Sequence, residues 1–405
     1  MIQYFKKICF TGILFGILIL YNSSSPYKKL YILSVTAGDH NRKSALVSFP
    51  VPPELLNKQL YLRDEKGNKI AMQVNQYEEG FFFMNAIRAG DVDEYYIETG
   101  KYKGEEVEVK EEKKQIQFTV HGKPVISYHI EGELPRKDID SVYLRGGYIH
   151  PVFTPSGKMV SDDYPPNHIH HHGIWASWTK TEFMGRKPDF WNVKDGTGKV
   201  EAVGLQESFQ GPVYSGFSAK HTYIDLTSGK PVKALDEVWE VKVYNYPNAT
   251  FHVFDLEVTQ NCATDQPLIL PTYHYGGVGF RGNRQWDGEQ NTTFLTSEGK
   301  GRKEGHATKA RWCHIGGKVD GSMAGITIMD HPQNFRSPQA MRIHPTEPFF
   351  CYAPSQDGNW QINPGEFYTA NYRFVVYDGE PDANTLEQLW QDFAYPPGVR
   401  LISKR

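Results

Sequence analysis

Cysteine is scarce in this chain: four residues in 405, at positions 9, 262, 313 and 351. Beyond the N-terminal stretch an odd, widely spaced set of three remains, from which no disulfide framework or zinc knuckle follows; it reads as three buried thiols, with one bridge in an oxidising compartment as the alternative. Charge of one sign is also missing. Lys plus Arg number 44 against 47 Asp plus Glu, a formal net charge of -3, so no basic stripe argues for a nucleic-acid partner. Long apolar runs are absent after Leu20, which leaves no further segment of the roughly twenty residues that span a bilayer. There is no G-x-S-x-G elbow, H-E-x-x-H pair, P-loop or EF-hand loop, so motif evidence for serine nucleophiles, zincin chemistry, P-loop nucleotide binding or EF-hand calcium is lacking.

What is abundant is aromatic and turn-forming. Aromatics make up 14% of residues, with 37 Gly and 25 Pro, a composition suited to β architecture, in which most of the rings fill the core. At the N-terminus, Lys6 and Lys7 precede the apolar run Ile8 to Leu20, followed by Ser23, Ser24 and Ser25. This is the layout of an export signal over residues 1–25, with the run too short to span a bilayer. The expected location is periplasmic or secreted. A membrane contact is expected only through this segment, if it stays uncleaved.

Short alternating segments follow. Leu30–Val35, Ala45–Phe49, Gln59–Arg63, Phe81–Met84 and Tyr95–Glu98 are strand-like and separated by turn residues, which predicts a small β-sandwich over 26–110. From 111 to 380 strands dominate, including Gln115–Val120, Glu237–Tyr244 and Phe251–Thr259. Their period-two alternation marks half-buried antiparallel strands, and no intervening helical pattern supports a parallel α/β sheet. Within 381–405, a helix from Asp382 to Phe393 with Leu386, Leu389, Trp390 and Phe393 on one face is expected before a tail. The fold class is mainly β: a small sandwich, then a large antiparallel supersandwich, then a short helix.

Four of the five residues His168–His172 are histidine, in Asn167-His168-Ile169-His170-His171-His172-Gly173-Ile174-Trp175. Neutral imidazole is base, hydrogen-bond partner and metal ligand, and its charge changes near neutral pH. An extended chain would put His168, His170 and His172 on one face and His171 on the other. A helix would group His168, His171 and His172 instead. Pro165-Pro166 upstream favours the extended form. A divalent metal at this cluster is one use of such imidazoles; acid, base and positioning roles toward a sugar hydroxyl are another. A hydrogen-bonded structural cluster beside Trp175 and Trp178 is the third. Of Asp162 and Asp163 just upstream, at most one is expected to face the site.

Gly277-Val278-Gly279-Phe280-Arg281-Gly282 spells G-x-G-x-x-G, but the turn-like residues after it do not open a helix, so it is not a dinucleotide fingerprint. Its glycines are expected to shape a loop presenting Arg281, either as a clamp for a carboxylate or hydroxyl pair or as an internal ion pair. Asp189-Phe190-Trp191 is expected to pin a loop over the pocket.

The segments Asn167–Trp175, Asp189-Phe190-Trp191-Asn192-Val193, Tyr273-His274-Tyr275-Gly276-Gly277-Val278-Gly279-Phe280-Arg281 and Pro364-Gly365-Glu366 together resemble the family of unknown function DUF6807, also labelled PmoA-like. A subunit of the membrane methane oxygenase behind that label would need several long apolar spans. More distantly, His171-His172-Gly173 and Thr272-Tyr273-His274 resemble the paired histidine segments of galactose mutarotase-like supersandwiches, as do Phe350–Gln356 and Asn363–Glu366. That resemblance implies the supersandwich, a sugar-sized pocket and His274 as a second histidine acting on a sugar ring. Those enzymes carry a glutamate base where Tyr352, Ala353 and Pro354 stand here. The combined expectation is an exported protein acting on a carbohydrate or uronic acid by lyase, isomerase or hydrolase chemistry. In it His170, His171, His172 and His274 are catalytic, and Asn167, His168, Trp175, Trp178 and Arg281 bind substrate. A non-catalytic sugar-binding protein and a metal-dependent hydrolase or oxygenase are the alternatives.

Overall fold

The computed structural model describes residues 30–247 and 250–404; the expected export signal lies outside them. The chain is mainly β, with antiparallel pairing between neighbouring strands and, among the described residues, one helix of more than a single turn. No helix among the described residues is long and apolar enough to cross a membrane.

Two eight-stranded sheets form the larger part. One runs from the edge strand Glu108–Glu111 through Gln115–Val120, Lys123–His129, Tyr148–Val152, Ile174–Ser177, Gly277–Arg281 and Phe349–Tyr352 to Met341–Ile343. The other contains the long alternating strands Val232–Tyr244, Phe251–Cys262 and Phe367–Asp378. Alternation works as expected: in Gln115–Val120 every second residue is buried. The inner faces meet in one core, where Phe118 and Tyr128 of the first sheet pack on Phe217 of the second. Trp178 belongs to that core, and its indole N–H donates to Gln260 Oε1 at 2.8 Å.

The N-terminal part is a second sandwich. Leu30–Thr36, Val92–Thr99 and Leu60–Asp64 lie in a five-stranded sheet, and Leu46–Pro50 and Glu79–Phe83 in a three-stranded one. Leu33, Val35, Val47 and Phe82 fill a separate core. The helix Ala383–Ala394 is capped by Asp382, which accepts from the Asn384 N–H. Its Leu386, Leu389 and Trp390 pack on Tyr377 and Val375 of the second large sheet. The expected tail beyond it is instead a strand. Gly398–Lys404 pairs residue for residue with Leu30–Thr36, so the strand after the helix joins the N-terminal sandwich. Alternation in Val399-Arg400-Leu401 carried that information, with Val399 and Leu401 packing on the small core.

Cys262, Cys313 and Cys351 are buried free thiols. The G-x-G-x-x-G segment is a sheet strand rather than a loop, followed by a single 3-10 turn at Arg284–Trp286. Gly279 serves packing there: a Cβ on it would stand 2.8 Å from the Trp191 ring, so its lack of a side chain lets that indole lie against the sheet.

Candidate functional site

The histidine segment is not extended. Two successive turns fold it: His168 N–H donates to the Pro165 carbonyl at 3.1 Å, and His171 N–H to the His168 carbonyl at 2.8 Å. The strand starts only at Ile174. Gly173 lets the turn lie on the neighbouring strand, since a Cβ there would meet the Ile149 carbonyl oxygen at 2.3 Å. The expected shared face of His168, His170 and His172 is therefore replaced by a helix-like grouping. His168 stacks on His171, with centroids 4.8 Å apart and planes 14° from parallel. His170 stands edge-on to His171 at 4.7 Å.

His171 is sealed. It is sandwiched between His168 and Phe349, 4.8 Å away, and leans on Trp175 at 5.1 Å. Its Nδ1 and the Trp175 indole nitrogen are buried without a hydrogen bond. Burial, joined by the neighbouring histidines, pushes the His171 ring well below the ordinary imidazole range. His171 and Trp175 pack beneath the site and are not among the residues that line its cleft.

His172 and His170 line an open cleft of about 800 Å³. Its other walls include Arg145, Trp191 and the edge strand beginning at Gly198. His172 Nδ1 lies 2.6 Å from Asp163 Oδ1, while the Tyr148 hydroxyl donates to Asp163 Oδ2 at 2.8 Å. Burial alone would raise the Asp163 carboxyl, but the hydrogen bonds from His172 and Tyr148 and the nearby imidazoles hold it below its usual range. An ionised carboxylate only accepts hydrogen bonds, so the His172 proton sits on Nδ1 and Nε2 carries the free lone pair. Burial, opposed by Asp163, lowers His172 and keeps it neutral. The ring is clamped by Tyr148 at 4.5 Å and Tyr164 at 4.7 Å, and His129 stacks behind Tyr148 at 4.4 Å. His170 is pushed down to about 4 by burial and then by His168 and His172.

As expected, one of the adjacent carboxylates faces the site: Asp162 instead pairs with Arg284 at 2.9 Å. Asp189 pins the cleft loop by accepting from the Trp191 and Asn192 N–H groups, both at 2.8 Å. Arg145 has no local sequence signal. Its buried guanidinium donates to the Ala176 carbonyl at 2.8 Å, and its Nε has no partner.

Other expected site residues lie elsewhere. Arg281 is fully buried and engaged internally, with Asp287 at 2.5 Å and Glu347 at 3.2 Å, so it cannot clamp a substrate. Asn167 is tied into that network, accepting from Arg281 at 3.1 Å and donating to Glu347. Trp178 is core. His168 is half-buried and meets His344 edge-on at 5.5 Å. His274 is exposed, with ring contacts to Tyr273 at 4.5 Å and Tyr275 at 4.8 Å and none to the four clustered histidines. Neither it nor Arg281 is part of the cleft lining. Among the described residues no group of three or more His, Cys, Asp or Glu side chains is placed to hold a metal ion.

Similar solved structures include an alpha-mannosidase from Enterococcus faecalis V583, 10% identical with a TM-score of 0.47. A protein in the glycosyl hydrolase family 38 from Enterococcus faecalis is also 10% identical, with a TM-score of 0.45. Both matches cover 94% of this chain, which spans 46% and 48% of theirs, about half their length. No curated protein matches. A family model described as a family of unknown function (DUF6807) matches residues 115–391, more than half of the chain, and the chain belongs to that family.

Proposed function

We propose that this is an exported carbohydrate-active enzyme in which His172 is the general base of the cleft. The observation that carries the reading is the Asp163–His172 pair, 2.6 Å apart, with a neutral imidazole on the wall of a sugar-sized hollow. A base must be unprotonated at working pH and held in one tautomer; burial supplies the first condition and Asp163 the second. His172 Nε2 takes a proton from a ligand hydroxyl, or from the carbon beside a uronate carboxyl. Asp163 then stabilises the imidazolium. Trp191 offers an apolar wall against a sugar face, and His170 a neutral hydrogen-bonding group. The carbohydrate class is supported by the resemblance of the His-His-Gly segment to mutarotase-like enzymes.

A second reading, binding without turnover, is favoured by one observation: His274, the expected partner across the ring, is not in the cleft. Product analysis alongside isothermal titration on a panel of neutral and acidic oligosaccharides separates the two. Turnover by the wild type that His172→Ala abolishes, with binding retained, supports the enzyme. Binding with no product from the wild type supports the module, and turnover that survives His172→Ala refutes the assigned base.

A further inference from the structure

Arg342 lies in the short edge strand Met341–Ile343. It is opposite Cys351, which is opposite Gly279, which is opposite Trp175. Directly opposed residues on antiparallel strands point to the same side of a sheet. Arg342 therefore stands on the face where Trp175 supports the histidine turn, with only Gly279 and Cys351 between.

The guanidinium is half-buried, and its one hydrogen bond is from Nη1 to His306 Nε2 at 3.3 Å. Arginine has no lone pair to offer, so His306 accepts and is neutral, with its proton on Nδ1. That Nδ1 is buried and has no partner either. Around Arg342 stand His274 and His344, both lowered by burial and then by its charge, and Tyr273 and Tyr275. No carboxylate is among the groups acting on it. Other arginines withdrawn from solvent are answered: Arg42, Arg281 and Arg373 by carboxylates, Arg302 and Arg336 by main-chain carbonyls. A partly desolvated cation costs free energy unless an anion or acceptor answers it, and among the described residues those around Arg342 are neutral rings, hydroxyls and the buried Cys351 thiol.

We propose that Arg342, with His306, His274 and the Tyr273 hydroxyl, is a subsite for an oxyanion of an acidic saccharide: the carboxylate of a uronic acid or the sulfate of a sulfated sugar. The planar fork of arginine suits both groups, and the neutral imidazoles and phenols suit the hydroxyls beside them. The proposal rests on the carbohydrate reading above and narrows it to acidic saccharides. It also gives His274 a place, as a ligand-holding group of this subsite rather than an acid or base opposite His172. Three inter-strand steps separate Arg342 from Trp175, roughly 14 Å. A ligand touching both Arg342 and the His172 cleft is therefore longer than one sugar ring.

The test is titration of the purified full chain with three matched trisaccharides: an oligouronate, a sulfated sugar and a neutral one. The wild type is expected to bind one or both acidic sugars about 10- to 100-fold more tightly than the neutral one, the range of a charge-assisted contact. The arm that shows the preference identifies the oxyanion. Arg342→Gln removes the preference, and Arg342→Lys restores part of it. Equal binding of acidic and neutral sugars, a preference that survives Arg342→Gln, or no binding of either acidic sugar overturns the subsite. His172→Ala keeps the two proposals apart: it is expected to abolish turnover and leave the acidic preference intact.

Discussion

Replacing Asp163 with Asn keeps the size and shape of the side chain while removing the charge behind His172. When Nε2 takes up a proton, the new imidazolium faces a carboxylate whose oxygen is 2.6 Å from Nδ1. With charge centres about 4 Å apart and an effective dielectric constant of about 20, that attraction is worth about 4 kcal/mol. At 1.36 kcal/mol per tenfold, it corresponds to a loss of roughly three decades in the proton-transfer step. Asp163→Asn is therefore expected to reduce kcat about 10³-fold, measured on whichever oligosaccharide the wild type turns over. Asp163 also opposes the burial that lowers His172, so the variant's imidazole should titrate at still lower pH. Nitrogen-15 spectra of the histidine rings test this without a substrate: the wild type should show the Nδ1-protonated tautomer at neutral pH, and Asp163→Asn a mixture or the other tautomer. Because the two residues act as one unit, the double variant with His172→Ala should be no slower than His172→Ala alone. Additive losses, or an Asp163→Asn enzyme within threefold of the wild type, would refute the coupling.

Acid should weaken the fold through its buried histidines. His150 and His170 are pushed down to about 4 and His314 to about 3, chiefly by burial. Their stabilisation is present above the unfolded value of about 6.5 and is lost as pH falls toward the folded values, because the unfolded chain binds protons first. At pH 5.5 each loses roughly 1 to 2 kcal/mol relative to pH 8, together about 4 kcal/mol; urea midpoints that stay flat over this span would contradict the assignment of neutral buried rings. Gly279→Ala drives a methyl group toward the Trp191 ring, 2.8 Å away, and should cost about 1–3 kcal/mol by overpacking. Thermal denaturation reads the loss, and tryptophan fluorescence reads the displaced indole. Deleting residues 398–404 removes a seven-residue strand pairing and the apolar contacts of Val399 and Leu401, and should lower the Tm; an unchanged Tm would show that the strand adds nothing to the N-terminal sandwich.

The strands were legible where one face is buried and one is wet. Phe251–Cys262 and Val232–Tyr244 announce themselves through alternation, and Asp382 with Leu386, Leu389 and Trp390 announces the helix, because both signals are local. The shape of the histidine segment was not. Pro165-Pro166 argued for extension, yet the segment turns, and Gly173 comes so close to the Ile149 carbonyl that a Cβ would not fit, a contact that no local pattern signals. Arg281 shows the same limit. Its position at the end of a glycine-rich strand fits a clamp or an ion pair equally well, and Glu347, 66 residues away, selects the ion pair.

His170 and His172, which the sequence singled out, do line a cleft, whereas Asp163 could be narrowed only to one of two adjacent carboxylates. Arg145 and Arg342 were invisible, for different reasons. Arg145 matters through its position under the cleft, and nothing beside it in the sequence marks that position. Arg342 matters through what does not surround it, and the lack of a counter-ion is a property of the folded face alone. The two arginines also divide the face by function. Arg145 stands near His172 and adds to the forces keeping that imidazole neutral, which favours a base. Arg342 stands among rings that burial has already neutralised, which favours an anion. One sheet face thus keeps its imidazoles uncharged at both ends, but only the end with Asp163 can stabilise the proton once it arrives. Proton transfer belongs to the His172 end and anion recognition to the Arg342 end, an assignment that exchanging the two sets of variants in the same assays would reverse if it were wrong.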